Sequence, residues 1–172
     1  MENNPPPNPD LVGDLFGGIF KPRWIRLALT FSNVHVTCLD SPDVLEVASH
    51  LARRMTVSAQ AAFLPADLFS ANLGMDSFDA VLVGQITHYL TPDQNKHLFG
   101  RIFTALKSNG TLVIDCPMST DAPSESASFL TLFLWANGGG TAHSFETYKS
   151  WLEEIGFQSV TQLGERWLAA RK

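Results

Sequence analysis

The stretch Phe78–Asp115, FDAVLVGQITHYLTPDQNKHLFGRIFTALKSNGTLVID, decides the fold. Its first seven residues, FDAVLVG, are apolar almost without interruption, the pattern of a strand covered on both faces. Thr91, Pro92 and Gln94 then mark a helix start. Threonine offers an N-cap oxygen, proline suits the first helical position, and a glutamine three residues after the cap can complete a capping box. Leu98, Phe99, Ile102, Phe103 and Leu106 fall on one helical face. Asn109-Gly110 reads as the helix stop, and GTLVIDC (110–116) as a second buried strand.

The same alternation extends both ways from this unit. Upstream, VHVTCLD (34–40) reads as a strand. Ser41 and Pro42 then start a helix whose apolar face is Val44, Leu45, Ala48 and Leu51. AAFLPADLF (61–69) holds a short strand and a turn. Downstream, Ser144 caps a helix with Phe145, Tyr148, Trp151, Leu152 and Ile155 inward, and Gly156 ends it. FQSVTQLG and RWLAARK close the chain as a pair of strands. The expected fold class is α/β: a mostly parallel sheet with helices on both faces and an antiparallel C-terminal hairpin at one edge.

The 172 residues suit one domain, and a composition 45% hydrophobic and 17% charged is that of a folded protein. A net charge of −5 with no basic stripe argues against nucleic acid as a partner. No apolar run reaches membrane-spanning length; Phe129–Ala136 is too short. Cys38 and Cys116 read as buried thiols, which fits a cytoplasmic location. Residues 1–10, MENNPPPNPD, read as a disordered leader without the pattern of a signal peptide, leaving 11–172 as the domain. His35, His50, His97 and His143 lack metal-ligand spacing, and no metal site is expected.

In a sheet of this kind ligands gather at the carboxyl ends of the strands, which directs attention to Asp40, Asp67, Gln85–His88 and Asp115–Met118. Asp40 ends a strand where a helix begins. It suits the two hydroxyls of a ribose, and equally a charge placed at a helix N-terminus. Asp67 can accept an adenine amino group, with Leu68 and Phe69 beside the ring, or can serve only to form its turn. His88 suits general-base removal of a hydroxyl proton, or a bond to loop backbone. Asp115 can orient that imidazole or be a solvated strand-end acid.

Five segments carry a resemblance: LDSPDVLEVA (39–48), FLPADLF (63–69), FDAVLVGQITHYLTPDQN (78–95), ALKSNGTLVID (105–115) and FETYKSWLEEIGF (145–157). In order and spacing they resemble the Rossmann-like catalytic domain of class I S-adenosylmethionine-dependent O-methyltransferases, the branch that modifies phenols and polyketides in plants, bacteria and fungi. The resemblance implies S-adenosylmethionine as cofactor and a small-molecule acceptor. It implies that Asp40 holds the ribose, that Asp67 and Leu68 flank the adenine, that Gln85 lies at the cofactor, that His88 is the base and that Asp115 is a carboxylate near it. Two family positions differ: Tyr89 replaces the acid after the base, and Gly84 replaces a lysine that contacts the cofactor in plant members.

The larger departure lies upstream. The family's first strand ends in an acid and closely spaced glycines, which let the backbone approach the methionine end of the cofactor. VGDLFGGIFKPRW (12–24) stands there, with Asp14, Gly17 and Gly18 as its remnants and Phe16 and Phe20 where small residues belong. The residues alone leave open a surface loop or leading helix in place of a degenerate first strand. The family's helical dimerisation domain has no counterpart, so a homodimer would use another surface; a chain cut from a longer protein would look the same. The acceptor pocket is expected at Phe129–Trp135 and Gly138–Gly140. The expected activity is methyl transfer to a hydroxyl of a small aromatic or polyketide acceptor. The alternative is a relative that does not methylate, acting as a ligand-binding partner or as a pericyclase.

Overall fold

The computed structural model describes residues 12–15, 23–119, 129, 132–134, 136 and 140–172, the first four by backbone alone. Among them, seven strands form one sheet in the order β3-β2-β1-β4-β5-β7-β6. The strands are β1 (Val12–Leu15), β2 (Val36–Asp40), β3 (Ala61–Pro65), β4 (Phe78–Gly84), β5 (Leu106–Asp115), β6 (Gln158–Leu163) and β7 (Trp167–Arg171). The first five are parallel to one another; β7 runs antiparallel to β5, and β6 pairs with it as the edge hairpin. The sheet is therefore mixed in the expected way.

Residues 12–15 are neither loop nor helix. They form β1 in the middle of the sheet, with Asp14 opposite Cys38 on one side and Leu82 on the other. Gly17 and Gly18 lie outside the described residues, as does the leader 1–10.

The helices form by the signals that mark them. In α3 (Pro92–Ala105), Thr91 and Gln94 close a full capping box, and Leu98, Phe99 and Ile102 are wholly buried. Helix α4 (Phe145–Ile155) is capped by the Ser144 side chain and ends on Gly156 at φ 118°, a conformation that favours glycine. Helix α2 (Pro42–Arg54) has Ser41 as its N-cap residue, yet the serine side chain makes no capping bond. Helix α1 spans Arg23–Thr30.

One boundary differs from expectation. Asn109-Gly110 does not stop α3, which ends at Ala105, and Leu106 already pairs with Phe78 as the first residue of β5. The chain ahead of β4 explains this. Asp76 N donates to Thr104 O at 3.1 Å and Ser77 N to Ala105 O at 2.7 Å, so the last helical carbonyls are met from outside.

Two cores result. The larger packs α3 and α4 on one face of the sheet and includes Phe99, Ile102, Leu112, Ile114, Tyr148 and Leu168. The smaller packs α1 and α2 on the other through Trp24, Ile25, Val36 and Leu45. Cys38 and Cys116 are buried and in no disulfide, as expected. Beside α1 lies an apolar groove of about 1070 Å³, lined in part by Leu29, Phe31, Leu82, Val113 and Trp167.

Leu98→Ala should lower stability by about 2–5 kcal/mol, whereas Thr91→Ala, which removes only a cap, should cost about 1 kcal/mol. Urea midpoints of the two variants would check this; equal losses would contradict the assigned core.

Candidate active site

The carboxyl ends of β2, β4 and β5 and the turn after β3 carry the described residues that the sequence singles out. Asp40 ends β2 and is buried. Its Oδ1 accepts from Ser41 N at 2.7 Å, and no protein bond to its Oδ2 is described. Burial raises its pKa above the usual carboxylate value, and the Ser41 bond partly opposes that rise. The Asp40 carboxylate thus serves the start of α2 with one oxygen and leaves the other for a further donor.

Asp67 is exposed in the turn after β3. Its Oδ1 accepts from Phe69 N at 2.9 Å and Ser70 N at 3.1 Å, so it does form its turn. Its other oxygen takes no part in these bonds. The Leu68 side chain beside it is buried in the larger core. Gln85 follows β4 with φ 56° and bonds the end of β5 twice, from N (2.8 Å) and from Nε2 (2.9 Å), both to Asp115 O. Its amide donor is therefore engaged in joining strands.

His88 lies on a single 3-10 turn, Thr87–Tyr89, and is 4% exposed. Its carbonyl accepts from Thr141 N at 2.8 Å, and its ring lies 4.4 Å from that of Tyr89 between centroids. Nδ1 is buried and has no hydrogen-bond partner among the described residues. Burial and then the Arg166 charge lower its pKa to about 4, so the imidazole is neutral at pH 7.

Asp115 makes no described bond to this imidazole. Its carboxylate, 1% exposed, forms ion pairs with Arg23 and, at 3.4 Å, with Arg166. Alternation along β5 explains the difference: Ile114 faces the larger core, so Asp115 points to the opposite face and into the groove beside α1. The structure thus brings Asp115 to Arg23, Arg166 and Trp167, whose ring lies 5.0 Å from the Arg23 guanidinium carbon. Sequence reasoning passed over both arginines. Nothing in their spacing signals a shared carboxylate, because Arg23 and Arg166 meet only through the sheet.

The large groove is not lined by Asp40, Asp67 or His88. Among the described residues it is lined by α1 and by β4, β5 and β7, and it meets the strand-end cluster at Asp115. Phe129, Leu132 and Phe133 are exposed, with the Phe129 and Phe133 rings stacked at 6.4 Å, while Trp135 and 137–139 lie outside the described residues. Among the described residues no group of His, Cys, Asp or Glu could hold a metal, and no helix is long and apolar enough to cross a membrane.

Residues 15–158 match the family model of the O-methyltransferase domain. The chain is 28% identical over 135 residues to the N,N-dimethyltransferase OxyT of Streptomyces rimosus, covering 77% of this chain and 39% of that protein. It is 27% identical over 128 residues to the mitomycin biosynthesis 6-O-methyltransferase of Streptomyces lavendulae, covering 74% and 36%. It therefore spans less than two fifths of these relatives' length. The solved structure of the S-adenosylmethionine-dependent methyltransferase SibL superposes with a TM-score of 0.82 at 22% identity, over 95% of this chain and 50% of that one, a likeness of fold.

Stability should fall as pH drops from 6.5 toward 4. In that window the unfolded state takes up a proton that native His88 refuses; buried His143, also lowered, adds to the effect, and Asp40, raised, opposes it. Urea unfolding at several pH values should give a shallower slope for His88→Gln; an unchanged slope would mean His88 titrates normally.

Proposed function

The chain belongs to the O-methyltransferase domain family, and on that premise we propose that it binds S-adenosylmethionine at the strand ends and methylates a hydroxyl of a small aromatic or polyketide-type acceptor. The observation that carries this reading is His88: buried, neutral, unpartnered at Nδ1 and set after β4 at the carboxyl edge of the sheet.

The described residues fit the nucleoside half of the cofactor. Asp40 has an oxygen to spare for a ribose hydroxyl, and Asp67 has one for an adenine amino group. Asp14 lies one residue before the end of β1, the strand beside Asp40's, where the methionine half would lie, and the remnant glycines Gly17 and Gly18 follow in sequence. When bound, S-adenosylmethionine supplies a methyl group on a positively charged sulfur. His88 takes the acceptor's hydroxyl proton as the oxygen becomes the nucleophile, and later releases that proton to water. Its low pKa keeps it unprotonated, at the cost of a weaker pull on the proton. Most of the acceleration would come from orientation of the two reactants. The exposed Phe129 and Phe133 rings suit one wall for a flat acceptor.

A second reading is favoured by Phe16 and Phe20, which follow β1 in sequence where the family carries small residues. A bulky side chain there opposes close backbone approach to the cofactor, as suits a ligand-binding relative that transfers no methyl. Calorimetry with S-adenosylmethionine separates the two. The enzyme reading expects binding, weakened at least about tenfold in Asp40→Ala through loss of charge-assisted hydrogen bonds. No heat at millimolar cofactor sinks that reading.

If binding is seen, transfer of labelled methyl to a panel comprising a hydroxyflavone, a hydroxyquinone and a dihydroxyanthraquinone tests the chemistry. His88→Ala should reduce transfer by about 10²–10⁴-fold. Transfer at the wild-type rate would remove His88 from the mechanism.

A further inference from the structure

A single 3-10 turn has few internal hydrogen bonds with which to fix a side chain. The turn that carries His88 is held from three other elements. Asn95, in the first turns of α3, donates from Nδ2 to Thr87 O at 2.9 Å and to Leu90 O at 3.3 Å. Thr141 N donates to His88 O at 2.8 Å. This segment runs so close that a Cβ on Gly140, at φ 136°, would lie 2.4 Å from the His88 carbonyl oxygen. From α4, the Tyr148 hydroxyl donates to Thr87 Oγ1 at 2.9 Å.

The last of these bonds has no packing reason. Thr87, Asn95 and Tyr148 are each wholly buried. The Tyr148 ring already packs beside Phe99 and Trp151, at centroid distances of 6.3 and 5.7 Å, and a phenylalanine would supply the same apolar contacts. Burying a hydroxyl is costly unless it is bonded, so the sequence bears that cost for the bond itself. What the hydroxyl reaches is the residue immediately before His88, together with the Cys116 thiol at the end of β5. Tyr148 and Thr87 are 61 residues apart, so the contact ties α4 directly to the turn.

We infer that Tyr148 is a positioning residue: its hydroxyl, acting through Thr87, sets the turn so that the His88 imidazole is held toward the acceptor. The catalytic part of this inference rests on the reading of His88 as the base; the placement of the ring does not. Asn95 and Thr141 secure the backbone of the turn, and Tyr148 governs the Thr87 side chain, which one hydroxyl-deleting substitution can release.

The test uses Tyr148→Phe, Thr87→Val and Thr87→Ser in the full chain. Histidine ring NMR reports the His88 environment, with its resonances identified by their loss in His88→Gln. Tyr148→Phe and Thr87→Val should displace those resonances alike, and Thr87→Ser, which keeps the hydroxyl, should leave them near their wild-type positions. With the fastest acceptor of the panel, kcat should fall between about tenfold and about a hundredfold in the first two variants, as for a misplaced reactive group, while KM for S-adenosylmethionine stays within about twofold. Thr87→Ser should restore kcat. Unmoved His88 resonances in both Tyr148→Phe and Thr87→Val, with only a lowered Tm, would overturn the inference. If Tyr148→Phe fails to fold, Thr87→Val decides alone by the same readouts. Full turnover in His88→Gln would remove the base assignment, and displaced His88 resonances in Tyr148→Phe would still establish the placement.

Discussion

A parallel strand cannot turn straight back to its neighbour, so each crossover between parallel strands must pass over a face of the sheet, here as a helix for most of the chain. The rest of this molecule depends on that constraint. Strands β1, β4 and β5 each have neighbours on both sides and so lie inside the sheet. Helices α1 and α2 cover one face and α3 and α4 the other, each through its own apolar core. With most of both faces covered by helices, the carboxyl edge of the strands is left for polar residues, and Asp40, Gln85, His88 and Asp115 all lie there.

Buried charge is handled differently at each of these residues. Asp115, almost wholly buried, is met by two guanidiniums, and the pair from Arg166 also ties the edge hairpin to the central strand β5. Asp40 meets burial with a single backbone bond, and its pKa rises. His88 meets it by giving up its proton. A charged carboxylate fixed to arginines can do little further chemistry, whereas a neutral imidazole with an unpartnered nitrogen retains the capacity to accept a proton. Chemical capacity at this edge thus follows from which groups are left unsatisfied, His88 Nδ1 among them.

Cover is incomplete beside α1, where the groove exposes apolar residues of β4, β5 and β7. Its lining is mostly apolar, with Asp115 and its two arginines among it, whereas the nucleoside-binding candidates are polar. Its size therefore says less about chemistry than the few oxygen atoms at the ends of β2 and β3.

Much of the architecture was legible in the amino-acid order. Near-continuous apolar runs identified β4 and β5, the capping box identified the start of α3, and Gly156 the end of α4, because each signal is local and acts within a few residues. Asp40 and His88 were legible for the same reason, since strand ends can be read from periodicity. Three matters were decided only by tertiary structure. Residues 12–15 became a central strand because β2 and β4 offered their edges on both sides; four residues carry too little pattern to show it. The end of α3 moved to Ala105 because the chain before β4 captures its last carbonyls from a distance in sequence. Asp115 meets Arg23 and Arg166 because alternation fixes which face a strand residue points to, while only the assembled sheet determines what waits on that face. Local order specified the elements and the strand ends where chemistry collects; the contacts that choose among those residues join positions far apart in the chain, and they exist only once the layers have packed.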